Sequence, residues 1–303
     1  GINNADNGTI AMDKNTTVSA ASNYGINNTG SNLILTNGNV YGVNNTGTLT
    51  IKENFNPECN GYTIPVYNSG TTILDNYELS VNKNKELIYN NSASVIINGG
   101  NIINDKPIVS TYYGTITLND VNLKSTNASA ITGSSTTILN SGTVESTSST
   151  AISCNSFTMN NGTVTGIGTG VSTNGFTMKD GTINSDGVGV SASSANISGG
   201  TINSVTYGVR TSGITLSNGT INTTDGKGIE ANSADISGGT VNATTYGMTT
   251  NNLTMTDGSF NATNGVGILV NTDGTITGGN IFGEVYGVQS KNKITLGVNE
   301  API

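Results

Sequence analysis

The feature that most constrains this fold is a repeat of 19 to 21 residues that begins near residue 157. One glycine recurs in each repeat after Asn, Asp or Gly, and Thr-Val or Thr-Ile follows the first five of these glycines. They are Gly162, Gly181, Gly200, Gly219, Gly239, Gly258 and Gly279, with successive differences of 19, 19, 19, 20, 19 and 21. A fixed period of this length is typical of a solenoid, whose repeats bury their apolar faces only by stacking on one another.

Nine or ten residues after each of these recurrent glycines comes a second signal, an aliphatic residue that itself follows another glycine. These residues are Val171, Val190, Val209, Ile229, Met248, Ile268 and Val288. Apolar and polar residues alternate over short runs, as in Phe176-Thr177-Met178, and Asn, Asp, Ser or Gly ends each run. This pattern indicates strands and turns, and no segment has the three- and four-residue apolar spacing of a helix. The pattern therefore excludes the helical solenoids.

Three short strands with a turn at each corner would form one coil of a parallel β-helix. A left-handed helix of hexapeptides needs an aliphatic residue every six positions, whereas the intervals here are unequal. The sequence thus predicts an all-β fold, a right-handed single-stranded parallel β-helix with coils about 4.8 Å apart. In the repeats, Asp-Gly or Asn-Gly corners alternate with Tyr-Gly corners, so the duplicated unit is two coils.

The same phase continues less regularly through the first half of the chain. Its candidate aliphatic residues are Ile26, Val43, Val66, Ile88, Ile108, Ile131 and Ile152. With the seven later ones they predict about fourteen coils of roughly 19–23 residues. Since no linker or composition shift divides the chain, we predict one domain over residues 1–303, with irregular coils in 1–140 and two-coil repeats in 141–298.

Three recurrent columns have a structural interpretation. Asn184, Asn203, Asn222, Asn242 and Asn261 occur once per coil. Amides stacked at strand spacing can hydrogen-bond along the column, so we predict an asparagine ladder. The recurrent glycines fit corners that need a positive φ or have no room for a Cβ. Thr163, Thr182, Thr201, Thr220 and Thr240 lie beside inward-facing aliphatic residues and are expected to face solvent.

The titratable residues offer little catalytic chemistry. The chain has no histidine, which removes histidine triads, histidine proton shuttles and the usual zinc sites. Cys59 and Cys154 fall about four coils apart, roughly 19 Å at strand spacing, so we expect two thiols and a buried Cys154. Arg210 has Ser191 and Glu230 as neighbours in phase, which predicts an ordinary cross-strand ion pair.

One acidic group could serve a polysaccharide hydrolase, which needs two carboxylates about 5–10 Å apart. Glu53, Asp75 and Asp120 fall near the same corner of irregular coils. Solvated charges are the alternative interpretation, and lyase chemistry of the pectate type would need more basic residues than the single arginine.

Eight of the eleven tyrosines lie in the irregular half, where insertions in a solenoid commonly form the binding face. We therefore look for a ligand surface in the segment from Lys52 to Tyr62 and around Tyr112-Tyr113. The candidate ligand-binding residues are Tyr62, Tyr77, Tyr89, Tyr112, Tyr113 and Asp75. The alternative is that these tyrosines pack against glycine corners or cover an irregular first coil of the solenoid.

Charge and motifs narrow the partners further. The formal net charge is −8 and basic residues are scattered singly, which argues against nucleic acid or an anionic membrane as partner. Calcium-binding nonapeptides and EF-hand loops are absent from the sequence, and we predict no metal and no cofactor. Flat Thr-x-Thr rows for ice binding occur only sporadically, at Thr48 and Thr115.

The repeat aliphatic-Thr-aliphatic-x-Asn/Asp-Gly-Thr-Ile followed by Tyr-Gly-Val resembles those of adhesin-like cell-surface β-helix proteins of Gram-positive, often gut-dwelling bacteria. Those proteins have the pectin-lyase-like architecture, and passengers of secreted adhesins look similar. The resemblance implies an extracellular, cell-surface or cell-wall location and supplies no ligand residue. Since the sequence shows no signal peptide or wall anchor and stops just after another coil begins at Lys293, we expect a fragment of a larger protein.

Two functions follow as hypotheses. The first is a non-catalytic extracellular stalk or adhesin that presents a ligand-binding face to glycans or proteins of host or bacterial surfaces. The alternative is a polysaccharide hydrolase or lyase, or a glycan-binding module, that uses the same irregular half. A cleft lined by carboxylates and stacked tyrosines would favour the alternative.

Overall fold

A computed structural model describes residues 1–21, 24–52, 55–58, 64–80 and 85–297. The described residues form strands and turns and contain no helix. The strands pair in parallel with the coil before and the coil after, which forms a β-solenoid of about 14 turns. The predicted parallel β-helix is therefore confirmed. The chain divides into two compact units, Gly1–Phe157 and Thr158–Ile303, while the predicted single domain stays a prediction.

The strands that begin in the first unit are short, and the longest of them continue around a corner of the coil. They are β1 (Ile2–Asn4), β2 (Gly8–Ala11), β3 (Thr17–Val18), β4 (Ile26–Asn28), β5 (Leu33–Thr36), β6 (Asn39–Tyr41), β7 (Val43–Asn45), β8 (Thr48–Lys52), β9 (Asn56–Glu58), β10 (Val66–Asn68), β11 (Thr71–Asp75), β12 (Glu78–Ser80), β13 (Ile88–Asn98), β14 (Asn101–Asn104), β15 (Val109–Asn119), β16 (Val121–Ser125), β17 (Ile131–Gly133), β18 (Thr136–Leu139), β19 (Gly142–Ser146) and β20 (Ile152–Met159).

The strands of the second unit repeat the same order at a more even spacing. They are β21 (Thr163–Gly166), β22 (Thr169–Met178), β23 (Thr182–Ser185), β24 (Val188–Ile197), β25 (Thr201–Ser204), β26 (Tyr207–Arg210), β27 (Gly213–Leu216), β28 (Thr220–Thr223), β29 (Lys227–Glu230), β30 (Ser233–Ala243), β31 (Tyr246–Thr250), β32 (Asn252–Ala262), β33 (Val266–Val270), β34 (Gly274–Ile276), β35 (Asn280–Gly283), β36 (Tyr286–Ser290) and β37 (Ile294–Leu296).

An aliphatic column runs through each unit at the predicted phase. In the first unit, Ile26, Val43, Val66, Ile88, Val109, Ile131 and Ile152 lie in register and are completely buried. The expectation of Ile108 in this column was wrong by one residue, because Val109 is the register partner of Ile88. Both residues are apolar and buried, so hydrophobicity alone does not distinguish them.

The second unit confirms its seven aliphatic positions. Val171, Val190, Val209, Ile229, Met248, Ile268 and Val288 are register partners in successive coils. Two further columns of apolar residues from the other strands complete the core, among them Met178 and Ile183. Full burial of such a side chain stabilises the fold by about 1.5–3 kcal/mol. The core therefore lies along the inside of the coils.

The recurrent glycines occupy corners in the left-handed region. All seven have a positive φ, between 81° at Gly200 and 119° at Gly258. A Cβ on Gly181 would lie 2.6 Å from the carbonyl oxygen of Gly162. The prediction of corners that need a positive φ and exclude a Cβ is therefore confirmed.

Candidate tyrosine-lined binding surface

A strip of uncharged polar side chains follows the outer face of the first-unit aliphatic column. Because successive side chains of a strand point to opposite faces, the residue after each buried aliphatic one faces outward. Six such residues form what we name the outer strip: Asn27, Asn44, Tyr67, Tyr89, Ser110 and Thr132. All six are half-buried. Neighbours in the strip are one coil apart, about 4.8 Å at strand spacing.

Tyrosine rings stack at the centre of the outer strip. The centroids of Tyr67 and Tyr89 are 5.6 Å apart with the planes 22° from parallel. Tyr24 adds a tilted ring, 6.2 Å from Tyr67, and the side chain of Asn91 donates a hydrogen bond to the Tyr67 hydroxyl at 3.0 Å. Burial raises the pKa of Tyr24 above its ordinary value, and Tyr67 adds to that effect. The centre of the strip thus presents two stacked aromatic rings, with a third tilted ring beside them.

Two more tyrosines project at the corner beside the strip. Tyr112 and Tyr113 are 58% and 54% exposed, and their rings meet edge to face with centroids 4.6 Å apart. They follow Ser110 of the strip by two and three residues within β15. Large exposed aromatic residues at one place are unusual for surface that has no partner. We name these two residues together with the outer strip the tyrosine surface.

A buried column of asparagines supports this surface from the inside of the coil. Asn28, Asn45, Asn68 and Asn90 are completely buried, and each of the first three donates from Nδ2 to Oδ1 of the next, at 2.7, 2.9 and 2.8 Å. We name these four residues the inner ladder. Asn90 donates to the carbonyl oxygens of Ala93 and Tyr113, at 2.9 and 3.2 Å. The last rung therefore fixes the corner that carries the exposed tyrosine pair.

The inner ladder was missed in the sequence, although a signal is present. Each of its members comes two residues after the column aliphatic, as in Ile26-Asn27-Asn28 and Val43-Asn44-Asn45. Period-two alternation would have assigned these positions to the inside, where an amide is costly unless every hydrogen bond is made. Only the coil register shows that the amides satisfy one another.

The predicted outer ladder is confirmed over four of its five members. Asn203 donates to Asn184 at 2.9 Å, Asn222 to Asn203 at 2.9 Å, and Asn242 to Asn222 at 3.0 Å. Asn261 is the register partner of Asn242. These residues and the threonines Thr163, Thr182, Thr201, Thr220 and Thr240 are half-buried on the outer side of their strands.

The structure separates the other predicted site residues. Tyr77 is completely buried and belongs to the core, so its assignment to a ligand surface was wrong. Burial, and secondarily the charge of Glu58, raise the pKa of Tyr77 well above the usual range. Tyr89, Tyr112 and Tyr113 contribute to the tyrosine surface. Tyr62, Glu53 and Cys59 lie outside the described residues.

The two described carboxylates of the candidate hydrolase site, Asp75 and Asp120, each interact with another side chain. Asp75 is the register partner of Lys52 and forms an ion pair with it at 3.4 Å. In the next two coils the partners in register are Asn98 and Asn119, so two coils separate Asp75 from the neighbourhood of Asp120. That separation is roughly 10 Å at strand spacing. Asp120 accepts a hydrogen bond from Ser141 at 2.6 Å.

Charges of the second unit gather on the outer face of its aliphatic column. Arg210 and Lys227 donate to Glu230 at 2.9 and 2.6 Å, which confirms the predicted cross-strand pair with Arg210. Lys227 also lies 5.9 and 5.7 Å from the ring centroids of Tyr207 and Tyr246. Partial burial alone would raise the pKa of Glu230, but the hydrogen bonds and charges of Lys227 and Arg210 outweigh it and lower the pKa.

Cys154 occupies the corner column that the inner ladder occupies in earlier coils. Its side chain is buried, as predicted, and it donates to the carbonyl oxygen of Ser156 at 3.3 Å.

Within the described residues, no group of three or more Cys, Asp or Glu side chains is placed to hold a metal ion. Over the same part of the chain, no helix is long and apolar enough to cross a membrane.

Comparison with known protein families, curated proteins and solved structures found no match for this chain.

Proposed function

We propose that this protein is a non-catalytic extracellular surface protein, an adhesin or stalk whose first unit presents the tyrosine surface to a ligand. The observation that carries the proposal is the exposed Tyr112–Tyr113 pair beside the stacked rings of Tyr67 and Tyr89. The resemblance of the repeats to adhesin-like β-helix proteins supports the extracellular, cell-surface part of the proposal.

The chemistry of the surface favours a neutral glycan as ligand. The outer strip combines aromatic rings with amide and hydroxyl groups and carries no charged side chain. Aromatic rings bind apolar faces, whereas the amides and hydroxyls donate and accept hydrogen bonds. A sugar ring has both an apolar C–H face and a rim of hydroxyls. Since the chain carries a net charge of −8, an acidic polymer would be repelled at low salt.

A binding role rather than a catalytic one is supported by the carboxylates near the surface. Asp75 is paired with Lys52, and its register partners in the next two coils are the uncharged Asn98 and Asn119. The two carboxyl groups of a glycosidase lie about 5–10 Å apart on either side of the scissile bond and must both be available for reaction, whereas the Asp75 carboxylate is held by Lys52.

The test is binding and turnover of the purified protein on an array of neutral and acidic glycans. We expect saturable binding to neutral glycans, with a loss of tenfold or more for Tyr112→Ala, as for an aromatic anchor worth about 1.5 kcal/mol or more. Tyr207→Ala is the matched control, because Tyr207 is a half-buried tyrosine of the second unit that contacts Arg210. It should bind as the wild type does.

Two results would contradict this proposal. Release of product that is abolished by Asp75→Asn would make the protein an enzyme. Equal losses for Tyr112→Ala and Tyr207→Ala would show that the tyrosine surface is not the binding site. A third result would reject only the glycan ligand. If no glycan binds, but the protein adheres to cells and Tyr112→Ala abolishes that adhesion, the tyrosine surface is the binding site and its ligand is a protein.

A further inference from the structure

At four corners of the second unit, a side-chain oxygen of asparagine or aspartate lies beside the backbone nitrogen of the next residue. At Asn161, Asp180, Asn218 and Asp257 the side-chain Oδ1 accepts a hydrogen bond from the N–H of the following glycine, at 2.7, 2.8, 2.8 and 2.7 Å. All four side chains are exposed. The same corner therefore holds an amide in two coils and a carboxylate in two others.

We propose that Asn161 and Asn218 are sites of intramolecular deamidation, at which the folded chain converts each asparagine to aspartate. The nitrogen of Gly162 or Gly219 gives its proton to hydroxide and attacks Cγ of the asparagine. The N–Cγ bond forms, the Cγ–Nδ2 bond breaks, and Nδ2 leaves as ammonia after taking a proton from water. Water then adds to Cγ and the N–Cγ bond breaks, which leaves the aspartate carboxylate and returns a proton to the glycine nitrogen. No redox partner is needed.

The corner geometry brings the reacting atoms together before reaction. Reacting atoms about 3–3.5 Å apart form a near-attack arrangement. With Oδ1 2.7 Å from the Gly162 nitrogen, Cγ, which is one bond from Oδ1, lies close to that nitrogen. Glycine adds no Cβ that would hinder the attack, and the φ values of Gly162 and Gly219 are 107° and 102°.

The fold already accommodates the product. Asp180 and Asp257 occupy the equivalent corners and accept the same hydrogen bond from the next glycine. An aspartate at position 161 or 218 therefore needs no rearrangement. Opening of the imide at the other carbonyl would insert an extra main-chain atom and shift the register of β21 or β28, so the folded chain favours aspartate over isoaspartate. Conversion of both sites changes the formal net charge from −8 to −10, since −8 − 2 = −10.

Asn98 provides an internal control, because it too precedes a glycine. Its Oδ1 accepts a hydrogen bond from Asn119 at 2.7 Å, and the N–H of Gly99 donates to the backbone oxygen of Asn119 at 2.7 Å. In this pair, the asparagine side chain and the glycine N–H are therefore hydrogen-bonded to Asn119 of the next coil and not to each other.

The test is incubation of the full folded chain at mildly alkaline pH, with peptide mapping by mass spectrometry over time. We expect Asn161 and Asn218 to convert severalfold faster than Asn98, with aspartate as the main product. In urea-unfolded protein the three sites should convert at similar rates, because each is an Asn-Gly pair. Conversion of Asn98 as fast as Asn161 and Asn218 in the folded chain would overturn the proposal.

A second measurement tests the tolerance of the product. The double variant Asn161→Asp/Asn218→Asp should melt at the temperature of the wild type. A clear loss of melting temperature, or isoaspartate as the main product in the folded chain, would show that these corners do not accept the conversion.

Discussion

At the scale of the single residue, asparagine has two distinct roles in this solenoid. In the inner ladder the amide is completely buried and its hydrogen bonds replace those to water. In the outer ladder the amide is half-buried and solvent can replace a lost partner. An unsatisfied polar group is costly only where water cannot reach it, so the two ladders should differ in what they contribute to stability.

We expect Asn68→Ala to lower the free energy of unfolding by about 1–3 kcal/mol, because it removes one hydrogen bond of the Asn45 amide and leaves the Asn90 Oδ1 atom without a donor in the core. Asn203→Ala should cost less than about 1 kcal/mol, since its neighbours in the outer ladder reach water. Urea titrations of both variants measure the difference. Similar losses would show that the ladders are equivalent.

Tyr77 is the opposite case, a buried hydroxyl that has no hydrogen-bond partner among the described residues. Tyr77→Phe removes that polar atom and keeps the ring, so it should stabilise the protein by about 1–3 kcal/mol. Thermal melts of the variant and the wild type measure this change, which should appear as a higher melting temperature of the variant. A decrease would mean that the hydroxyl is satisfied.

At the scale of the element, each coil depends on its corners. Gly181→Ala places a side chain in the left-handed region, which costs about 1–2 kcal/mol, and against the Gly162 carbonyl oxygen as well. Gly168→Ala is the matched control, since a Cβ there meets nothing within 4 Å. It should be neutral or stabilising by up to about 1 kcal/mol. Denaturant melts compare the two, and equal effects would remove the conformational explanation.

The cross-strand charges of β26 and β29 predict a loss of stability in acid. The pKa of Glu230 is lower in the folded chain than its usual value of 4.5, so this group stabilises the fold above that value. The contribution disappears as the pH falls through the folded pKa. Between pH 6 and acid below the usual value, the wild type should therefore lose more stability than Glu230→Gln does. Parallel losses would show that Glu230 adds nothing.

The sequence predicts elements well where one column decides them, and poorly where a neighbouring coil does. Val209 and its equivalents recur every 19 or 20 residues, and the recurrent glycines mark one corner of each coil, so both were predicted at the residue level. The choice of Val109 over Ile108 depends on pairing with Ile88, and the burial of Tyr77 depends on how its coil packs. The tyrosine surface was predicted only in part, since the sequence does not show which rings meet.

At the scale of the whole molecule, the composition determines the response to pH. The chain has no histidine, the side chain that ordinarily titrates between about pH 5 and 8. We therefore expect the melting temperature to vary little from about pH 6 to 8, in contrast to the loss in acid. A series of thermal melts tests this. A marked change within the range would reveal a strongly shifted group.

The two-coil period of the second unit also bears on how such a gene can change in length. Tyr207 and Tyr246 stand at equivalent corners, 246 − 207 = 39 residues apart. A recombination event that removes or duplicates that interval would join strands whose columns still match, so the product would keep its threonines, aliphatic residues and asparagines in line. The coils of the inner ladder are unequal, with 45 − 28 = 17 residues from Asn28 to Asn45 and 68 − 45 = 23 from Asn45 to Asn68, so removal or duplication of 39 residues there would move the buried amides out of line. Length variation among descendants should therefore accumulate in the second unit, while the coils behind the tyrosine surface keep their number.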